Sequence, residues 1–100
     1  MAHIYKITNI LNNKIYIGKT EHIDPIKRWK EHIKDSKRER NKNRPIYKAI
    51  NKYGVENFSF EILEETDKPE QQEIYYISLY DSYKNGYNAT IGRRWKTENR

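Results

Sequence analysis

Two short runs of β-branched and aromatic residues, at positions 4–8 and 15–17, lie on either side of a polar centre at residues 12–13. Runs of this kind around a turn-forming pair are typical of an antiparallel β-hairpin. With a tight two-residue turn, Tyr5 and Tyr16 would point to the same sheet face but lie on the order of 13 Å apart, at roughly 3.3 Å per residue. A wider loop or a bulge would bring the two phenols together, and we expect the wider loop.

The hairpin is followed by a helix that the sequence predicts over residues 25–37. Pro25 favours a helix start because its ring fixes φ near the helical value. Apolar residues then recur at spacings of three and four, in Ile26, Trp29 and Ile33. This periodicity predicts an apolar stripe that faces the core.

The same helix carries Arg28 and His32 four residues apart, so the two side chains project together. Such a pair is more often a solvated flank than a catalytic one. The segment 36–44 that follows has five cations, one acid and no apolar residue. This composition is typical of a mobile loop or a fraying helix end, and both a solvated connector and a loop that holds a phosphate backbone are consistent with its charge.

A second helix is predicted over residues 46–53, after Pro45 and before Gly54, which ends it as glycine commonly does. Its apolar residues form a second stripe, made up of Ile46, Ala49, Ile50 and Tyr53. In the segment that follows, apolar residues alternate with polar ones at Phe58, Phe60 and Ile62. This alternation predicts a half-buried strand that joins the hairpin sheet.

A third helix is predicted over residues 68–80, because Asp67 and Glu70 resemble a capping box at its start. Glu73 would lie beside the buried stripe of this helix, and a carboxylate in that position is unusual unless it is paired or bound to a cation. Residues 87–91 are expected to form a short closing strand. The elements together predict an α+β fold, with a small antiparallel three-stranded sheet, the N-terminal hairpin plus a third strand, flanked by three helices.

The composition of the chain narrows the class of protein. One hundred residues allow a single small domain, which we place at residues 1–92, with 93–100 as a basic tail or the start of a linker. The absence of cysteine excludes disulfides and Cys-based zinc sites, and the absence of a long apolar run argues against secretion or membrane insertion. The net charge of +6 fits a polyanionic partner and a merely lysine-rich soluble protein about equally, and the nine tyrosines tilt the balance slightly toward the partner.

Several motifs resemble the GIY-YIG nucleases. The two strands of the hairpin carry His3-Ile4-Tyr5 and Tyr16-Ile17-Gly18, close to the paired tripeptides that name this family. The later motifs occur in the family's order: Arg28 with His32, Asn-Lys-Tyr-Gly at 51–54, the strand at 58–64, Glu73 with the aromatic residues after it, and Gly-Tyr-Asn at 86–88. His3 replaces a glycine of the family, and the loop after His32 lacks the second histidine of some homing members.

The resemblance implies a DNA endonuclease dependent on Mg²⁺ or Mn²⁺ that hydrolyses a backbone phosphodiester. Glu73 would be the metal ligand, in a one-metal site. Tyr5 would be the general base, with its pKa lowered by nearby cations such as His32. Arg28 would clamp the scissile phosphate, Tyr16 would position the water or the phosphate, and Asn88 would orient Glu73 or a neighbouring strand.

The expected partner is DNA, and the cations expected to contact it are Lys14, Lys19, Lys37, Arg38, Arg40, Lys42 and Arg44. The favoured subclass is a phage or intron homing endonuclease, intracellular, acting as a monomer or weak dimer, whose catalytic domain is tethered to a DNA-reading domain outside this chain. One alternative is a non-catalytic nucleic-acid-binding module that keeps the fold. A further alternative is a basic protein that binds RNA or a protein partner, although the chain lacks the aromatic and GXXG patterns of common RNA-binding modules.

Overall fold

The computed structural model of the chain describes residues 1–92, and it confirms the predicted α+β architecture. Three antiparallel strands form one sheet in the order β2-β1-β3, with three α-helices around it. The elements are β1 (Ala2–Asn9), β2 (Ile15–Thr20), α1 (Ile26–Asp35), α2 (Pro45–Tyr53), β3 (Phe58–Thr66) and α3 (Pro69–Tyr80). The prediction of a basic tail at 93–100 lies outside the described residues. None of the helices in residues 1–92 is long and apolar enough to cross a membrane.

The hairpin has the wider loop. Tyr5 pairs directly with Gly18, and five residues, 10–14, connect the two strands. The strands therefore do not have the register that a two-residue turn would give. Asn13, in this loop, has the positive φ of 64° that asparagine tolerates better than most residues. Tyr16 therefore lies on the same face of the sheet as Tyr5 and close to it. Gly18 is required opposite Tyr5, because a Cβ at this position would overlap the Tyr5 ring.

The two faces of the sheet have separate hydrophobic clusters. On one face, Tyr5 and Ile7 pack against Ile46 and Tyr47 of α2. On the other face, the cluster around Ile4 and Ile17 packs against α3. Strand β2 is an edge strand, so groups from both faces can meet beside it.

Helix α1 ends at Asp35 and does not bury the stripe that its periodicity predicts. Ile26 is 40% exposed, whereas His32 is fully buried. Trp29 does pack inward and stacks on Phe60, with ring centroids 5.8 Å apart. The prediction was wrong for Ile26, since α1 turns His32 and not Ile26 toward the core. This polar side chain can be buried because the hydroxyls of two tyrosines satisfy both of its ring nitrogens.

Three further local predictions differ from the structure. No side-chain cap from Asp67 forms at α3; the Thr66 hydroxyl instead accepts a hydrogen bond from the Lys68 N–H at 2.9 Å. Residues 87–91 do not form a strand. Within the basic segment a short 3₁₀ turn, Glu39–Asn41, gives part of the expected loop regular structure.

Candidate active site

A polar cleft of about 530 Å³ opens at the free edge of β2. Tyr5 and Tyr16 reach it from the sheet face covered by α2. Glu73 reaches it from α3, on the opposite face. The cleft contains five of the six predicted catalytic residues: Tyr5, Tyr16, Arg28, Glu73 and Asn88. The sixth, His32, lies buried behind the tyrosines.

Tyr5 and His32 form a short hydrogen bond at the back of the cleft. The Tyr5 hydroxyl oxygen lies 2.6 Å from His32 Nε2, and both side chains are buried. Burial, with the positive charges of Arg28 and Arg44, lowers the pKa of His32 from 6.5 to about 3. The imidazole is therefore neutral at physiological pH.

The pKa of Tyr5 is raised, which contradicts the expected lowering. Burial is the largest cause, the neighbouring Tyr16 adds to it, and the charge of Arg28 only partly opposes it. His32 cannot supply the expected positive charge because it is neutral. Tyr5 and His32 are consequently a neutral hydrogen-bonded pair, rather than a phenolate stabilised by an imidazolium.

Tyr16 lies beside this pair. Its ring centroid is 6.4 Å from that of Tyr5 and 5.6 Å from that of His32. Burial raises the pKa of Tyr16, against the opposing charges of Arg44 and Arg28. Tyr16 is thus a neutral hydroxyl at the wall of the cleft, able to donate a hydrogen bond to an anionic oxygen or to accept one from water.

Glu31, which was not predicted from the sequence, holds Arg28 at the cleft. Its Nη1 donates to Glu31 Oε1 at 3.0 Å, across one turn of α1, and its side chain is 26% exposed. The hydrogen bond from Arg28 lowers the pKa of Glu31, and His22 contributes to the same shift. One part of the guanidinium is therefore fixed, and its other donors remain available for an anion.

The Glu73 carboxylate suits a divalent cation. Its side chain is only 13% exposed, and Oε1 lies 3.1 Å from Nζ of Lys19. A buried carboxylate requires a compensating cation, which the lysine provides. Within residues 1–92, no three His, Asp or Glu side chains cluster as metal ligands, so Glu73 would share a metal with water and phosphate oxygens, as Mg²⁺ commonly does.

Asn88 binds the edge strand and not Glu73. Its Oδ1 accepts from the Ile17 N–H and its Nδ2 donates to the Ile17 carbonyl, both at 2.8 Å. The neighbouring Tyr87 N–H donates to the Ile15 carbonyl at 2.9 Å. These bonds satisfy backbone groups along the free edge of β2 and hold the strand that carries Tyr16. Of the two partners expected for Asn88, the neighbouring strand is the one observed.

The predicted DNA-binding cations do not form one surface. Lys19 and Arg44 line the cleft. Arg38 forms an ion pair with Asp35 at 3.3 Å, and Arg40 is exposed in the 3₁₀ turn. The basic segment therefore contributes to the cleft through its last residue, Arg44.

Two other grooves run along α2 and share Lys48. The first, of about 680 Å³, also contains Lys14 and Lys52; the second, of about 400 Å³, also contains Lys37 and Lys42. Among the residues that the structure describes, no carboxylate lines either groove, although Lys42 forms an ion pair with Glu39 at 3.0 Å. Lys48 and Lys52 were missed because the sequence analysis of α2 considered only its apolar face.

Tyr47 is the second residue of the site that sequence reasoning missed. Its hydroxyl lies 2.8 Å from His32 Nδ1, and its side chain is 1% exposed. Its position three residues before Ile50 places it at the border of the apolar stripe of α2, which is a signal for burial. The partner of its hydroxyl depends on how α1 packs against α2.

The chain is similar to known proteins over most of its length. The family model of the GIY-YIG catalytic domain matches residues 1–88. The intron-associated endonuclease 1 of Enterobacteria phage T4 is 38% identical over 96 residues, covering 89% of this chain and 38% of that protein. The chain therefore spans well under half the length of this relative.

Two solved structures are similar over almost their whole length. A mutant of the catalytic domain of intron endonuclease I-TevI has a TM-score of 0.78 and 35% identity, with 91% of this chain and 96% of that chain covered. A second structure, of the catalytic domain of homing endonuclease I-TevI, has a TM-score of 0.75 and 35% identity, with coverage of 90% and 99%.

Proposed function

Because the chain belongs to the GIY-YIG catalytic domain family and is thereby an endonuclease domain that hydrolyses phosphodiester bonds, we propose that it cuts DNA with one divalent cation, Mg²⁺ or Mn²⁺, held by Glu73. The observation that carries this proposal is the convergence of Tyr5, Arg28 and Glu73 on one positively charged cleft. Metal-assisted hydrolysis of a phosphodiester needs a base, a group that stabilises charge and a metal ligand. The phenol hydrogen-bonded to a neutral imidazole, the guanidinium and the buried carboxylate can supply these three functions.

Tyr5 and His32 would activate the water together. As the water oxygen forms its bond to phosphorus, its proton passes to the Tyr5 oxygen, and the Tyr5 proton passes to His32 Nε2. The bond from phosphorus to the leaving oxygen breaks, and that oxygen takes a proton from solvent. The pair ends as a phenol beside an imidazolium, so the site has to stabilise a buried positive charge and not a free phenolate.

Substrate binding would favour this proton transfer. The positive charges of Arg28 and Arg44 are among the causes that lower the pKa of His32. A DNA phosphate bound between these two arginines would neutralise their effect and raise the pKa of His32 toward its ordinary value. Burial, the largest cause of the lowered pKa, would remain, so the base would become more effective when a phosphate occupies the cleft.

The remaining groups of the cleft bind and orient the phosphate. Arg28, fixed by Glu31, would donate to the phosphoryl oxygens where negative charge develops. Tyr16 would donate a hydrogen bond to the same phosphate or hold the attacking water. A divalent cation at Glu73 would supply Lewis-acid stabilisation of the phosphoryl and leaving oxygens.

DNA is the proposed substrate because cations extend beyond the cleft. Lys14, Lys37 and Lys42 of the predicted set, with Lys48 and Lys52, line the grooves on α2. Lys42 is paired with Glu39 at 3.0 Å, whereas the other four form no ion pair within residues 1–92 and can neutralise phosphates on either side of the cut. Both I-TevI structures are described as catalytic domains, so we propose that this domain also acts together with a separate DNA-reading domain.

Nicking of supercoiled plasmid, with and without Mg²⁺, tests the proposal in the wild type and in Glu73→Ala. We expect nicking only by the wild type with the metal. The alternative, a binding module that keeps the fold, predicts no nicking by either protein and salt-sensitive DNA binding by both. Equal nicking by both proteins would overturn the role of Glu73.

A further inference from the structure

Tyr5, His32 and Tyr47 form a continuous buried row of hydrogen-bonding groups. The Tyr5 hydroxyl oxygen lies 2.6 Å from His32 Nε2, and the Tyr47 hydroxyl oxygen lies 2.8 Å from His32 Nδ1. The three side chains come from β1, α1 and α2, and each is no more than 1% exposed. Both nitrogens of the imidazole are thus occupied by tyrosine hydroxyls.

A neutral imidazole carries its proton on one nitrogen only, so one of the two tyrosines must face a donor and the other an acceptor. The positive charge of Arg28 lies near the Tyr5 oxygen. It repels the phenolic proton and favours its orientation away from the guanidinium, toward His32 Nε2. Nε2 then has to be the acceptor, and the imidazole proton has to be on Nδ1, where Tyr47 accepts it.

We propose that Tyr47 is a positioning residue that holds His32 in the tautomer protonated on Nδ1, which leaves the Nε2 lone pair free to accept the proton of Tyr5. This inference rests on the proposed function, because the Nε2 lone pair matters only if Tyr5 transfers its proton there. Without the Tyr47 oxygen, a buried Nδ1–H would lack an acceptor, which is unfavourable. The imidazole would then favour the other tautomer, in which Nε2–H donates to Tyr5 and blocks the transfer.

The surroundings of Tyr47 fix its hydroxyl in place. Its ring lies in the main hydrophobic cluster of the sheet. The guanidinium carbon of Arg44 lies 5.2 Å from the ring centroid on the side of α2 that borders the cleft. Helix α2 therefore connects a cation of the cleft with the group that sets the His32 tautomer.

Long-range ¹H–¹⁵N spectra of His32 test the inference directly in the wild-type protein. We expect Nδ1 to be the protonated nitrogen and Nε2 to be the unprotonated one. A wild-type protein with the proton on Nε2 would overturn the inference. This measurement requires neither cleavage nor a variant that folds.

The variant Tyr47→Phe removes only the hydroxyl, and Tyr53→Phe, on the same helix and packed against the same cluster, is its matched control. For Tyr47→Phe we expect a shift of the His32 proton to Nε2 and a fall of about 10- to 100-fold in the single-turnover cleavage rate at saturating DNA. Tyr53→Phe should change neither. A Tyr47→Phe protein that cuts at the wild-type rate with an unchanged tautomer would overturn the inference and leave the proposed function intact.

Failure of the proposed function has a different signature. A wild-type protein that does not cut DNA under any metal condition would refute the nuclease proposal, while the spectra would still decide the tautomer. If the spectra then show Nδ1–H in the wild type and Nε2–H in Tyr47→Phe, Tyr47 does determine the His32 tautomer, but the tautomer has no role in DNA cleavage.

Discussion

The ammonium nitrogen of Lys19 lies 3.1 Å from Oε1 of Glu73, and both side chains are largely removed from solvent. The lysine compensates the carboxylate on which the proposed metal site depends. A divalent cation that binds Glu73 therefore competes with Lys19. Once displaced, the ammonium would remain at the cleft, where it can bind a phosphate oxygen.

We predict that Lys19→Met binds Mg²⁺ more tightly than the wild type. A partly buried ion pair of this kind is worth about 1 kcal/mol, so its removal should lower the dissociation constant about fivefold. Calorimetric titration with Mg²⁺ in the absence of DNA measures the change. Lys6→Met, which removes the lysine of the Lys6–Glu61 pair on the same sheet, should leave Mg²⁺ binding unchanged. Weaker binding by Lys19→Met would contradict competition.

The buried His32 predicts a loss of stability in mild acid. Its pKa in the folded protein, about 3, lies below the ordinary value of 6.5, so the unfolded chain binds the proton more tightly. The stabilisation is fully present above pH 6.5 and is lost as the pH falls toward 3. Between pH 6.5 and 5 the free energy of unfolding should decrease by about 2 kcal/mol from this residue, at about 1.36 kcal/mol per pH unit.

Urea denaturation at several pH values checks this prediction. The decrease should be about 2 kcal/mol smaller in His32→Gln than in the wild type. His22→Gln, which removes the histidine in the ion pair with Glu31, serves as the control and should keep most of the decrease. A wild-type protein with the same stability at pH 6.5 and 5 would show that His32 is readily protonated in the folded state.

Removal of the Tyr5 hydroxyl should abolish most of the activity and leave the fold intact. Tyr5→Phe keeps the ring that packs over Gly18 but removes the group that passes the proton to His32. General-base contributions suggest a fall of about 100- to 10,000-fold in the single-turnover rate. Circular dichroism and DNA binding should remain close to the wild type. A rate reduced less than tenfold would exclude Tyr5 as the proton acceptor.

The sequence was sufficient to predict the elements whose bounds are determined by a local pattern of residues. Pro45 and Gly54 mark the ends of α2, and the alternation after Phe58 marks β3, because these signals act through neighbouring residues. The family motifs supplied the residues of the cleft. The register that brings Tyr5 near Tyr16 depended on the loop length, and the wider loop could be anticipated from the need to unite the two phenols.

The electrostatic state of the site could not be derived in the same way. His32 is neutral because α1 and α2 bury it between two tyrosines, 27 and 15 residues away along the chain. The sequence analysis treated it as a cation, since nothing local indicates that both nitrogens have neutral partners. The raised pKa of Tyr5 follows from the same burial. Long-range packing therefore changes the predicted mechanism from a stabilised phenolate to a neutral pair.

Arg28 should not be replaceable by lysine. Its planar guanidinium can hold Glu31 with one nitrogen and a phosphate with the others, whereas an ammonium is a single point charge. We expect Arg28→Lys to lower the cleavage rate on the order of 100-fold, with DNA affinity changed much less. Single-turnover kinetics over a range of DNA concentrations separate the two effects. Lys27→Arg, at an exposed neighbouring position, is the control for a change of cation on α1.

The grooves along α2 predict a contribution to DNA affinity that is separate from catalysis. Lys48 and Lys52 line them without a carboxylate nearby, and each phosphate contact steepens the salt dependence of binding by about 0.9. The double variant Lys48→Gln/Lys52→Gln should therefore bind DNA more weakly and show a slope of log K against log salt that is shallower by about 2. Its cleavage rate at saturating DNA should match the wild type. The control Lys68→Gln/Lys84→Gln removes the same charge from exposed positions before and after α3. An equal loss of slope in this control would mean that net charge, and not the grooves, determines the affinity.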